Sequence, residues 1–218
     1  MEADFWRQRW EANQIGFHQD EVNLHLERHW PGLALAPGSR VLVPLCGKSR
    51  DMLWLAGQGH AVTGVELSEI AVRDFFAENR LEATVREQGP FREWYRDEIR
   101  ILQGDFFELD ARRLGAVAGV YDRAALVALP ASMRGRYVAH LYQLLRRGTR
   151  MLLVSMEYPQ DEMEGPPFSV SAEEIRERYG AGFAVEEIDR IDILDENPRF
   201  RERGLSSLVE SVFRLVRR

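Results

Sequence analysis

From residue 41 to residue 156 the chain alternates short β-rich runs with longer helical ones, and few architectures accept that alternation. Each strand–helix–strand repeat needs a crossover that leaves its strands parallel and lays a helix on the sheet. Strands are expected over Val41–Leu45, Ala61–Val65, Ile99–Gln103, Gly119–Tyr121 and Met151–Met156, and two further runs, Phe183–Ile188 and Leu208–Val216, close the chain. Helices are expected over Ser49–Leu55, Glu69–Asn79 and Met133–Leu145. In the third, apolar residues at 137, 138, 141, 144 and 145 draw one helical stripe. Ser171 and Glu174 have capping-box spacing and mark another helix start. With no helix of any length between them, the last two strands pair antiparallel at a sheet edge. The expected class is α/β: a mostly parallel seven-stranded sheet with helices on both faces and an antiparallel C-terminal edge.

Ahead of the alternation, the first 30 residues read as helical with a hinge at "NQIGFHQD", and Pro31 and Pro37 punctuate the loop that follows. A chain of 218 residues holds one sizeable core, so a single domain over 1–218 is expected. No apolar run approaches the roughly 18 residues of a membrane span, and "MEADFWRQRW" contains no apolar signal core. A cytoplasmic protein is expected. Cys46 is the one cysteine, which excludes an internal disulfide and a thiolate-rich metal site. A formal net charge of −6 argues against nucleic acid as a partner.

The turn after the first strand, "PLCGKSRDM", is where nucleotide-binding folds place a phosphate loop. A Walker loop ending in "GKS" needs an earlier glycine at position 42, which is Leu42. A dinucleotide loop needs three glycines so that backbone can approach a pyrophosphate, and only Gly47 is present. That also counts against a nicotinamide-dependent oxidoreductase. What remains is a ligand without phosphate, a nucleoside bearing an amino-acid tail, whose charged ends use backbone groups at 45–47. Glu66 ends the second strand 19 residues after Gly47, where an acid accepts hydrogen bonds from ribose hydroxyls. The alternative is an acid placed beside a helix N-terminus at Ser68. At the end of the third strand, in "QGDFF", Asp105 is placed to meet an adenine amino group and Phe106 to cover the base. A Phe pair after a strand is also ordinary core.

Other candidates weigh differently. Trp10 stands four residues after Trp6, which fits either an apolar pair within a helix or an aromatic face over a bound sulfonium. Arg123, in "VYDRAALVAL", suits an anionic thiolate or purine, or the carboxylate end of a ligand, or an ion pair with Asp122 or another acid. His25 and His29 share a helix spacing in "HLERH". The zinc-protease pattern needs Glu directly after the first His, where Leu26 stands, so an exposed helix face is expected. Cys46 lacks an evident base to make a thiolate, apart from Lys48, and a packing role is expected.

Taken in order, "WRQRWEANQIGFHQ", "PLCGKSRDM", "GVELSE", "YDRAALVAL" and "EYPQDEMEGPPFSV" resemble the thiopurine S-methyltransferase family over nearly the whole chain. The resemblance implies a Rossmann-like class I methyltransferase fold that uses S-adenosylmethionine, leaves S-adenosylhomocysteine and needs no metal. It implies methylation of sulfur in small aromatic or heterocyclic thiols, extending to selenium and tellurium compounds. It also implies a monomer whose N-terminal segment, 1–36, covers the active site. Trp10, Leu45, Glu66 and Arg123 match family cofactor contacts, with Gly47 beside Leu45 at the methionine end. Asp105 and Phe106 match the adenine side, Phe17 a residue near the substrate, and Arg123 is the one candidate catalytic residue. After Asp122-Arg123 this chain has Ala-Ala where Gly-Ala is usual. A non-enzymatic sensor or scaffold that binds the same cofactor is the competing expectation; turnover of an added thiol separates the two.

Overall fold

In a computed structural model describing residues 3–16 and 18–218, the chain divides into two units, Met1–Tyr121 and Asp122–Arg218. The first begins with α1 (Ala3–Glu11) and α2 (Leu24–His29). It continues through β1 (Arg40–Pro44), α3 (Asp51–Gly57), β2 (Ala61–Glu66), α4 (Glu69–Glu78), β3 (Thr84–Gln88) and β4 (Phe91–Arg96). β5 (Ile99–Gln103), α5 (Ala111–Leu114) and β6 (Gly119–Asp122) follow, β6 reaching the first residue of the second unit.

Within the first unit the strand order is β3-β4-β5-β2-β1-β6. β5, β2, β1 and β6 run parallel, while β3 and β4 are antiparallel additions. β1 from Val41 and β2 from Val62 are buried without alternation because both of their faces are covered, as parallel strands require. Leu42, Val65, Met52, Leu55, Phe75 and Ile101 are fully or almost fully enclosed in this core. Each such side chain contributes roughly 1.5–3 kcal/mol on burial.

The segment 84–96, polar and without a readable pattern, forms a hairpin. β3 is exposed at all five residues, so no apolar alternation marks it. Gly89, at φ +62°, and Pro90 make the turn. Nine strands are therefore present among the described residues, where seven were expected.

The N-terminal segment is fastened to the same unit by polar groups. The Asn23 side chain accepts from the amides of His25 and Leu26 and caps α2. The backbone N–H of Asn23 donates to Asp51 Oδ1 (2.9 Å), and Tyr121 donates its hydroxyl to Asp51 Oδ2 (3.0 Å). Asp51 is buried at the first turn of α3, so one carboxylate joins three parts of the chain. Nearby, Trp30 Nε1 donates to His60 Nε2 at 3.1 Å.

The second unit comprises α6 (Ala125–Ala128), α7 (Ala131–Leu144), β7 (Arg150–Glu157), α8 (Ala172–Tyr179), β8 (Phe183–Asp192), α9 (Pro198–Glu202) and β9 (Val209–Arg217). β9 pairs antiparallel with both β7 and β8, which is the expected C-terminal edge. The five-residue α9 lies between β8 and β9, where no helix was expected; its Phe200 joins Tyr158, Leu194, Leu205 and Leu208 in a separate small core. Ser171 caps α8 by accepting from the Glu174 amide (3.2 Å). The Glu174 carboxylate does not close the box; it pairs with Arg134 and Arg178 instead. No helix among the described residues is long and apolar enough to cross a membrane.

Candidate functional site

The first strand stops one residue earlier than its apolar run suggests, because Leu45 turns into the left-handed region at φ +47°. That conformation costs an L-residue about 1–2 kcal/mol and is typically held only by its surroundings. Gly47 is left-handed as well, at φ +52°. A side chain there would also meet Trp10, since a Cβ on Gly47 would lie 3.4 Å from Trp10 Cζ2. Trp10 on α1 is 6% exposed, so the indole is packed against the loop rather than standing in solvent.

Glu66, at the end of β2, binds that loop from the other side. Its Oε2 accepts from the Gly47 amide (2.8 Å) and its Oε1 from the Ser68 amide (2.8 Å). The acid therefore serves the start of α4 and also reaches across to the β1 loop. Burial raises its pKa, opposed by the amides of Ser68, Gly47 and Leu67. An ionised carboxylate offers about four lone-pair positions, and these two bonds leave acceptor capacity on both oxygens.

The neighbouring strand brings Asp105 close. β5 runs beside β2 with Gln103 opposite Glu66, and the Gly104 amide donates to the Glu66 carbonyl (2.8 Å). Asp105 is exposed and caps the short turn Phe106–Glu108 by accepting from the Phe107 amide (2.9 Å). Phe106 is 4% exposed, with its ring edge-on to Phe107.

A cleft of about 360 Å³ opens here, bounded by Leu67, Gly104, Asp105, the Gly89–Pro90 turn and Arg7 of α1. That is within the usual size of a small-ligand pocket. Gly104 is required for its shape, since a Cβ would fall 2.5 Å from the Phe91 ring and 3.0 Å from the Pro90 carbonyl oxygen. Leu67, Pro90 and Arg7 were not singled out from the sequence. The legible signals were an apolar residue directly after Glu66 and a Gly-Pro turn.

Several alternatives are settled by geometry. Lys48 is 9% exposed and its ammonium pairs with Glu78 of α4 at 2.6 Å, so "GKS" does not present a free lysine. Burial, reinforced by the charge of Glu66, pushes the Cys46 thiol well above its ordinary range, which removes it as a nucleophile. His25 is 7% exposed and its ring stacks with His29 at 6.1 Å, which corrects the expectation of an exposed helix face.

Arg123 is the second residue of the second unit and half-buried. The ion pair with Asp122 considered from sequence does not form: both Asp122 oxygens are taken by Ala125, Leu126 and Tyr137. Phe17 lies outside the described residues. Trp10, Leu45, Gly47 and Glu66 are thus assembled around one loop, with Asp105 beside them.

The description "Thiopurine S-methyltransferase" belongs to the family model that matches this chain, over residues 1–218. The chain belongs to the thiopurine S-methyltransferase family. Thiopurine S-methyltransferase of Pseudomonas putida F1 is 54% identical over 217 residues, covering 100% of both chains. That of Azotobacter vinelandii is 55% identical over 218 residues, again covering 100% of both. Among solved structures, an S-adenosylmethionine-dependent methyltransferase of Anabaena variabilis aligns with a TM-score of 0.67 at 16% identity, covering 99% of this chain and 95% of that one. Magnesium protoporphyrin IX methyltransferase of Synechocystis, with bound S-adenosylhomocysteine, aligns at 0.65 and 16% identity over 100% of each. These likenesses show the Rossmann-like α/β fold of class I methyltransferases. Within the thiopurine S-methyltransferase family motifs, Leu45-Cys46-Gly47-Lys48 and Gly64-Val65-Glu66 are the two segments that the Gly47–Glu66 bond joins.

Proposed function

We propose that this chain methylates the sulfur of small aromatic and heterocyclic thiols, thiopurines among them, using S-adenosylmethionine. The observation that carries the reading is Glu66: a buried carboxylate at the tip of β2, tied to a loop with no provision for phosphate, and with acceptor sites left over. The residues fit the cofactor. Glu66 takes the ribose hydroxyls, the backbone at 45–47 takes the amino-acid end, and Asp105 at the mouth of the cleft takes the adenine amino group. When bound, S-adenosylmethionine supplies an electrophilic methyl group on a positively charged sulfur.

The chain's own work is to bind, orient and exclude water. Trp10 closes the loop over Gly47 and presents an aromatic face, which is worth about 0.5–2 kcal/mol to a nearby cation. Family membership supports Phe17 beside the acceptor and Arg123 as the cation that holds an anionic thiolate or the cofactor carboxylate. The N-terminal segment 1–36 serves as the cover of a single catalytic domain. A thiol of low pKa reaches its anion without a strong base, so Arg123 is the one catalytic residue proposed. Attack on a cationic centre that already carries its charge calls for no Lewis acid, and chelation of divalent ions is expected to leave turnover unchanged. Selenium and tellurium oxyanions or their reduced forms extend the substrate range, consistent with a cytoplasmic, monomeric detoxifying enzyme.

The test is transfer of labelled methyl from S-adenosylmethionine to a thiopurine, a simple aromatic thiol, selenite and tellurite, alongside calorimetric binding of S-adenosylhomocysteine. Methylated thiopurine is expected, and Glu66→Ala is expected to weaken S-adenosylhomocysteine by about 10–100-fold. Tight binding with no transfer to any acceptor would make the chain a cofactor-binding sensor instead.

A further inference from the structure

We propose that Asp122 is a positioning residue for Arg123, fixing the backbone that carries the guanidinium through a buried clamp on α6 and α7. The inference rests on the Arg123 role proposed above.

Asp122 is 1% exposed. One oxygen, Oδ1, accepts from the amides of Ala125 (3.0 Å) and Leu126 (3.2 Å); the other, Oδ2, accepts the Tyr137 hydroxyl (2.6 Å). The first two bonds close a turn around Arg123 and Ala124. They also supply what α6 lacks, because its N-cap residue is Ala124, with no side chain able to cap. The third bond ties the carboxylate to α7, a 14-residue helix, through a tyrosine with no exposed surface.

The far end of α6 is held separately. The Val127 carbonyl accepts from the Phe168 amide (2.7 Å), and the Leu129 carbonyl from Arg134 Nε (2.9 Å). α6 is a four-residue helix with little stability of its own, so its direction is set by these two anchors. Asp122 is the anchor on the Arg123 side. By contrast, the Arg123 side chain has no hydrogen bond or ion pair among the described residues. Its placement therefore depends on the turn it stands on. Three of the about four acceptor positions of Asp122 go to the protein's own donors.

The test is a double-mutant cycle on binding, with S-adenosylhomocysteine as the probe in titration calorimetry. Asp122→Ala and Arg123→Ala are each expected to raise the dissociation constant by about 10-fold or more, and the double variant to bind within about 3-fold of Arg123→Ala alone. Asp122→Asn keeps an oxygen for the two amides and is expected to stay within about 3-fold of wild type. If the two alanine effects multiply instead, Asp122 acts independently of Arg123 and the inference is overturned while the Arg123 reading stands. If Arg123→Ala binds like wild type, Arg123 does not hold the cofactor carboxylate and the inference is overturned, while a role for Arg123 toward the thiolate is left to the transfer assay. Should Asp122→Ala fail to unfold cooperatively, Tyr137→Phe replaces it in the cycle, since it deletes one bond of the three. Its weakening is expected to disappear in the Arg123→Ala background, and persistence there would overturn the inference.

Discussion

Glu66 and Asp122 are both buried carboxylates, and their donors give them opposite duties. Glu66 accepts two amides and keeps room for a ligand; Asp122 accepts three donors from its own unit. Burial pushes Asp122 up to about 6 from an ordinary 3.8, against the pull of Tyr137 and the two amides. The folded chain thus holds a proton there, over that window, which the unfolded chain releases. The stability tied to this group is full below about pH 4 and is lost as pH rises through about 6. Tyr137 and Tyr179, whose charges would act on Asp122, are themselves pushed upward by burial and stay neutral across the window. Asp122→Asn removes the titration. Its stability relative to wild type is expected to increase between pH 4.5 and pH 7.5, by about 2 kcal/mol in denaturant melts. A difference that stays flat with pH would contradict this assignment. Glu66 was legible as a candidate because it ends an apolar strand. The inward turn of Asp122 was not, since "DR" in sequence suggests an ion pair and only the fold supplies the competing donors.

At the level of elements, the parallel strands and the C-terminal edge announced themselves, and the edge at β3 and β4 did not. β1 and β2 are covered on both faces, so their burial does not alternate and Val41–Val43 reads as a continuous apolar run. The hairpin of β3 and β4 is half in solvent, and its sequence carries few apolar residues to reveal it. Yet its turn forms one wall of the cleft, and Gly104 lets Phe91 and Pro90 come near enough to do so. Arg113 braces the same turn, donating to the Gln88 carbonyl with its guanidinium over the Phe91 ring. Gly104→Ala inserts a Cβ into the Phe91 ring and is expected to lower stability by about 1–3 kcal/mol. Because the strain sits at the cleft wall, S-adenosylhomocysteine binding is expected to weaken as well. Unchanged thermal midpoint and affinity would mean that the hairpin swings aside freely. The five-residue α9 was hidden for a different reason: a helix so short has too few positions to show a period.

For the molecule as a whole, the alternation between residues 41 and 156 was enough to predict an α/β class, and the ordered motifs were enough to predict the family. The outer edge of the first unit's sheet lies elsewhere, at β3. That strand ends the first unit's sheet and pairs only with β4 among the strands of that sheet. An unpaired edge is a template on which a second chain can add a strand. Val85 is 42% exposed there, and next to it stand Arg86, lying over the Tyr95 ring, and Glu87, paired with Arg92. Replacing both charges, as Arg86→Val with Glu87→Val, leaves a flat apolar edge. Such a variant is expected to sediment as larger species at concentrations where the wild type does not; identical sedimentation would show that the edge is protected otherwise. The polarity that concealed β3 in the sequence is thus a guard against aggregation, setting how crowded the protein can become before sheets from different copies join.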